Sequence, residues 1–214
     1  MIDTVLFDLD GTLTNTLADL KNSVNFALRK FGFPERNAEE IRNFVGNGVK
    51  KLIYRSVPED TDNETAEKCL EVFKEYYKNN SCVETKPYEG IVELLKELKK
   101  KNIKTAVVTN KMHEAATEIV EFFFENLIDV TVGQSEKFTP KPAPDMVFLA
   151  LEKLGSSKEN AVYIGDSEVD CITAQNSGIP CIGVTWGFRD RNVLCENGAD
   201  FIADKTGDIM QFLF

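Results

Sequence analysis

The chain has 214 residues, of which 43% are hydrophobic and 28% charged, and its formal charge is −10. That length suits one sizeable core plus a smaller accessory unit. No apolar run approaches the roughly 20 residues needed to cross a bilayer, and no stripe of Lys and Arg offers a footing for a phosphate backbone, so neither membrane nor nucleic acid is expected as a partner.

Residues 2–9 read as a strand: Val5, Leu6, Phe7 and Leu9 suit a buried position, whereas Asp8 and Asp10 do not. Gly11 breaks the strand, and a helical spacing follows through Leu17, Leu20, Val24, Leu28 and Phe31 until Gly32-Phe33-Pro34 ends it. Residues 38–44 predict a short helix, FVGNGVK a turn, Lys50–Val57 a further helix and 62–79 a long one. From 15 to 81 no strand is expected, so this stretch reads as an all-helical insert of about four helices. It carries eleven basic and eleven acidic residues, which leaves the whole negative charge on the remainder.

After Pro87-Tyr88-Glu89-Gly90 the pattern alternates. Helix 90–101 leads to the strand IKTAVVTN, helix 112–124 to a strand near IDVTVG, and helix 145–154 to the strand AVYIGD. Helix 168–177 leads to PCIGVTW, and DFIAD precedes a terminal helix. Such alternation implies a Rossmann-like α/β unit, a mainly parallel sheet with helices on both faces. The expected division is a catalytic core of 1–14 and 82–214 and a helical cap of 15–81. The first residues lack the basic and apolar stretches of a signal peptide. The five cysteines (Cys69, Cys82, Cys171, Cys181, Cys195) form no CxxC pair. A cytoplasmic protein with reduced thiols is the expectation, as a monomer or homodimer.

In open α/β sheets ligands gather at the carboxyl ends of the strands. There the sequence places Asp8 and Asp10, then Thr109-Asn110-Lys111, then Gly165-Asp166-Ser167 with Asp170 a turn later. Side chains two apart on a strand share a face, so Asp8 and Asp10 can serve one site. Two carboxylates there repel each other and lose hydration unless a cation lies between them. Asp166 would complete an oxygen-rich set suited to Mg²⁺. Taken alone, the pair reads equally well as one turn cap and one solvated acid. Lys141 is flanked by Pro140, Pro142 and Pro144, which stiffen its loop, although a solvated loop lysine is the plainer alternative.

DLDGT (8–12), TN (109–110), Lys141 and GDSEVD (165–170) resemble the four ordered motifs of the haloacid dehalogenase-like phosphatases. FVGNGVKKLI, KPAP and GVTWGF resemble the phosphoglycolate phosphatase-like group in particular. The resemblance implies that Asp8 is the nucleophile and Asp10 the general acid and base. It implies Mg²⁺ held by Asp8, the main-chain carbonyl of Asp10 and Asp166. Thr109, with Asn110 nearby, would bind the phosphoryl group, Lys141 would stabilise it, and Asp170 would orient Lys141 or a metal-bound water. The substrate would be a small phosphorylated metabolite, 2-phosphoglycolate first, with pyrophosphate, sugar phosphates and a β-phosphoglucomutase-like transfer as alternatives. A receiver-like phospho-aspartate switch is the rival of a different class, although it has no use for Asp10 or a large insert.

TLTNT departs from the group's pattern, with Asn15 and Thr16 where an acidic residue and a serine are more usual. In the insert, Gly46-Asn47-Gly48 followed by Lys50 reads either as an anion-binding helix start or as a plain helix–helix turn. His113 reads as a surface residue at a helix start. Trp186 either borders the site or packs, and Phe122-Phe123-Phe124 reads as core.

Overall fold

The computed structural model describes residues 2–214. Strand β1 (Thr4–Phe7) is buried throughout and shorter than the sequence suggests. Its ladder ends where Gly11 adopts φ +90° and the N–H groups of Leu13 and Thr14 turn back onto the Leu9 carbonyl, each at 3.0 Å. This turn leaves Asp8 and Asp10 at the strand's exit. β2 (Thr14–Asn15) follows, then helices α1 (Leu17–Lys30), α2 (Ala38–Phe44), α3 (Val49–Ser56) and α4 (Asn63–Lys78), then β3 (Lys86–Pro87). The rest alternates: α5 (Ile91–Lys100), β4 (Lys104–Met112), α6 (His113–Phe124), β5 (Val130–Gln134), α7 (Asp145–Leu154), β6 (Ala161–Gly165), α8 (Glu168–Ser177), β7 (Cys181–Val184), α9 (Arg191–Glu196), β8 (Phe201–Ala203) and α10 (Thr206–Leu213).

Six strands form one parallel sheet in the order β5-β4-β1-β6-β7-β8. Successive strand residues point to opposite faces. Val5, Phe7, Val107, Val162 and Ile164 therefore meet α5, α6 and α10 on one side. Leu6, Ala106, Val108, Ala161 and Tyr163 meet α7, α8 and α9 on the other. The chain leaves β1 toward β4 and β5, then returns to its other side with β6. The switch point thus lies at the end of β1, where such sheets open a crevice. That position was not legible in the sequence, but the two aspartates stand on it.

Helices α1–α4 pack around their own apolar cluster, with Leu28, Ile41, Ile53, Phe73 and Tyr77 at its centre. One feature of this region departs from the sequence expectation. Asn15 belongs to a strand, because β2 and β3 pair antiparallel where the chain enters and leaves the helical stretch. Asp19, in the first turn of α1, is buried and accepts N–H bonds from Val83, Glu84 and Thr85 at 2.9–3.0 Å. Elsewhere α9 appears where no helix was predicted, since six residues are too few to show a period.

Candidate active site

Asp8 follows β1 directly, its backbone N–H bonded to the Ile164 carbonyl of β6 at 2.9 Å. Its carboxylate is buried, and Oδ1 lies 3.0 Å from Lys141 Nζ but takes no hydrogen bond. Burial pushes the Asp8 carboxyl up to about 6; Lys141 offsets part of this, while Asp170 and Asp10 add repulsion.

Lys141 comes from the proline-flanked loop before α7 and is also buried. Asn110 fixes its backbone from both sides: Lys141 N–H donates to Asn110 Oδ1 at 2.8 Å, and Asn110 Nδ2 donates to the Lys141 carbonyl at 3.1 Å. The Lys141 ammonium donates to Asp170 Oδ1 at 2.7 Å and to the Tyr163 hydroxyl at 2.9 Å. Burial works against its charge, yet Asp170 and Asp8 together hold it well above its ordinary value. Asp170 Oδ2 accepts from the N–H and hydroxyl of Ser167, at 3.1 and 2.6 Å. Both oxygens of Asp170 are thereby engaged, one of them by Lys141.

Asp166, at the end of β6, accepts from Thr12 Oγ1 at 3.1 Å and from the Phe188 N–H at 2.7 Å. Burial raises its carboxyl well above the usual range, and Asp170 and Asp8 raise it further. Two glycines make room for it. A Cβ on Gly11 would fall 2.3 Å from Asp166 Oδ2, and one on Gly187 the same distance from Asp166 Cβ.

Asp8, Asp166 and Asp170 bring carboxylate oxygens within 4.8 Å of one another. Three buried acids, two of them raised by burial and mutual repulsion, with an unbonded oxygen on Asp8, fit a hard divalent cation. Asp170 already accepts from a cation, the Lys141 ammonium, whereas Asp166 accepts only from neutral donors and Asp8 Oδ1 takes no hydrogen bond, so Asp8 and Asp166 are the side chains that fit direct ligation.

Asp8, Asp10, Thr109, Asn110 and Lys111 form the floor of a cavity of about 40 Å³, roofed by Leu20, Val45, Gly46, Gly48, Val49 and Leu52 from the helical stretch. Of the predicted substrate contacts, Thr109, Asn110, Gly46 and Gly48 therefore line one space. The Asn110 amide is committed to backbone, bonding the Gly46 carbonyl (3.1 Å) as well as Lys141. Asn47 is not among the lining residues. Lys50 points elsewhere, ion-paired with Glu67 and over the Tyr54 ring.

The sequence reading gave Lys111 no role, and here it is buried against the site. β4 runs two residues past Asn110 with a register irregularity, carrying the Lys111 ammonium to 3.0 and 3.3 Å from the Asp10 oxygens. It also donates to the hydroxyl of Tyr77 in α4. Burial opposes its charge, but Asp10 and Tyr77 outweigh that and hold it above the ordinary lysine value.

Two arginines tie the helical stretch to the sheet beside Asp166. Arg42 of α2 donates to the carbonyls of Phe188 (2.7 Å) and Gly187 (3.2 Å). Arg189 answers with bonds of 2.8 Å to the Arg42 and Val45 carbonyls, its Nε held by Glu168 at 2.9 Å. Among the remaining predicted residues, His113 is exposed at the helix start, as expected. Trp186 packs on the core and donates to the Thr12 carbonyl at 3.0 Å, bracing the turn after Asp10. Phe124 is core, but Phe122 is 71% exposed, because three consecutive helix positions cannot all face inward.

Residues 5–184 match the family model of the haloacid dehalogenase-like hydrolases. The phosphoglycolate phosphatase of Aquifex aeolicus is 30% identical over 210 residues, spanning 98% of this chain and 95% of its own. That of Neisseria meningitidis is 32% identical over 220 residues, spanning 99% and 94%. A solved structure of a candidate phosphoglycolate phosphatase from Lactobacillus delbrueckii superposes with a TM-score of 0.93 at 35% identity, covering 99% and 98%. CbbY from Rhodobacter sphaeroides, crystallised with xylulose-(1,5)bisphosphate, gives 0.78 at 25% identity, covering 97% and 96%. The family match takes in the strands that carry Asp8, Thr109 and Asp166, and the relatives share nearly the full length: the chain belongs to the haloacid dehalogenase-like hydrolases, in their phosphoglycolate phosphatase-like group.

Proposed function

We propose that the protein hydrolyses a small phosphate monoester, with 2-phosphoglycolate as the preferred substrate, through a phosphorylated Asp8. The observation that carries this reading is Asp8 itself: a buried carboxylate with an unbonded oxygen, 3.0 Å from a fixed ammonium and opening onto the cavity. An Asp8 oxygen attacks phosphorus as the ester P–O bond breaks, and the Asp10 carboxyl gives its proton to the departing alkoxide. Asp10, now a carboxylate, takes a proton from water as that water's oxygen attacks phosphorus. The bond from Asp8 to phosphorus breaks, inorganic phosphate leaves, and both acids are restored.

Lys141 stabilises the charge on the transferring group as a point charge held by Asp170, and Thr109 bonds a phosphoryl oxygen. Mg²⁺, held by Asp8, Asp166 and the main-chain carbonyl of Asp10, would supply the positive charge that lets one anion approach another.

Residues 15–81 act as the lid of a core formed by 1–14 and 82–214, hinged near 12–17 and 80–88. The β2–β3 ribbon and the hold of Asp19 on residues 83–85 lie at that hinge. The cavity lies between the sheet and this helical stretch, and the lid opens for substrate entry. Its roof presents Leu20, Val45, Val49 and Leu52 beside the backbone of Gly46 and Gly48, and the lack of polar side chains there favours a short substrate over a sugar phosphate with many hydroxyls to pair. The unpaired thiols suit a reducing compartment, and we place the protein in the cytoplasm.

The test is phosphate release from 2-phosphoglycolate, pyrophosphate, sugar phosphates and p-nitrophenyl phosphate, with Mg²⁺ or EDTA. Many phosphates per chain, lost with EDTA and in Asp8→Asn, support the reading. A single stable phosphorylation of Asp8 without turnover would replace it with a switch or a mutase.

A further inference from the structure

Resting on that phosphatase reading, we infer that Lys111 is a positioning residue for Asp10, and that Tyr77 makes this positioning depend on the docked lid. Asp10 must meet the leaving oxygen and later the attacking water, so its carboxyl needs one defined place beside Asp8. Nothing in its own strand provides that, because β1 ends at Phe7 and Asp10 lies in the turn beyond. The carboxylate is instead gripped through both oxygens by the Lys111 ammonium, at 3.0 and 3.3 Å.

Lys111 is in turn fixed at two points. Its backbone is held by the continuation of β4, its N–H donating to Thr109 Oγ1 at 3.3 Å, and its ammonium donates to the Tyr77 hydroxyl. Tyr77 belongs to α4, is fully buried and stacks on Phe73 at 5.2 Å, so its hydroxyl moves only with the helical stretch as a body. The chain of contacts runs from lid to Tyr77 to Lys111 to Asp10. An open lid takes the hydroxyl away and leaves the lysine, and with it Asp10, one restraint short. Acid–base catalysis is thereby coupled to the closed state.

The measurement compares Lys111→Met, Tyr77→Phe, Asp10→Asn and the Lys111→Met/Asp10→Asn double variant on 2-phosphoglycolate and p-nitrophenyl phosphate. Lys111→Met should lower kcat on 2-phosphoglycolate about 100-fold, within the range of a lost acid–base group, while KM moves little. Nitrophenolate leaves without a proton, so the same variant should release close to one nitrophenolate per chain rapidly and then stall at the hydrolysis of phosphorylated Asp8. Adding Lys111→Met to Asp10→Asn should cost almost nothing more, because both act through one group. Tyr77→Phe, which removes a single hydroxyl, should show the same dependence on leaving group at roughly a tenth of the size.

A loss confined to KM for the carboxylate-bearing substrate would overturn this role and make Lys111 a substrate anchor. So would losses that multiply in the double variant, or a nitrophenolate burst slowed as much as release from 2-phosphoglycolate. If Lys111→Met does not fold, Tyr77→Phe carries the same test alone, and a nitrophenolate burst slowed as much as release from 2-phosphoglycolate would refute the link. A wild-type chain inert on every ester would remove the phosphatase reading and this inference with it, whereas active wild type with an unimpaired Lys111→Met removes only the inference.

Discussion

The Asp8 carboxyl is forced toward neutrality by its surroundings, yet the proposed attack on phosphorus requires an anion. Without a cation the folded protein holds that proton up to about pH 6, whereas the unfolded chain releases it near 3.8. The native state therefore binds more protons in that window, and stability falls as pH rises through it. Asp166, raised well above the same starting value, adds to the loss. Thermal melts should accordingly show that Mg²⁺ raises Tm clearly at pH 7.5 and much less at pH 5; equal shifts at both would separate the metal from these carboxylates. On activity, Asp10→Asn should lower kcat by roughly 100- to 10,000-fold on alkyl esters. The acids were legible in the sequence because a charge inside a hydrophobic strand is itself a signal. Lys111 was not. A lysine after a strand is normally solvated, and only the extension of β4 past Asn110 turns this one inward. Nor does the sequence show that Asn110, besides lining the cavity, fastens the Lys141 loop through its amide.

At the level of the elements, long helices with glycine stops were readable: α7 runs from Asp145 to Leu154 before Gly155, and α8 from Glu168 to Ser177 before Gly178, both glycines left-handed. The two-residue ribbon and α9 carry too few residues for a period, so only tertiary context defines them. Two substitutions test how the elements hold the site. Asp19→Ala orphans the N–H groups of residues 83–85 where the chain leaves the helical stretch and should cost about 3 kcal/mol, read as a lower urea midpoint with unchanged slope. Gly187→Ala would set a methyl 2.3 Å from Asp166 Cβ and 2.5 Å from the Gly11 carbonyl. It should weaken Mg²⁺ binding by calorimetry about tenfold or more, as shifts around a metal ligand do, while the far-UV spectrum stays native.

In the whole molecule the two units differ in charge as well as shape: the helical stretch is neutral and the remainder carries −10. The sheet order was beyond the sequence, because any βαβ series can be wound to either side of its first strand, and side is decided by how helices cover the two faces. Opening and closing should depend on the arginine pair. Arg189→Ala removes the bonds to the Arg42 and Val45 carbonyls and should raise hydrogen exchange in residues 42–48 and increase KM severalfold, with the melting of the sheet little changed. Both guanidiniums grip main-chain oxygens, at residues 42, 45, 187 and 188. A carbonyl is the same whatever side chain its residue bears. Val45, Val49 and Leu52, which roof the cavity, can therefore exchange for other apolar residues without removing a single bond of the clamp, so the lining of the cavity and the fastening that holds it in place can evolve separately.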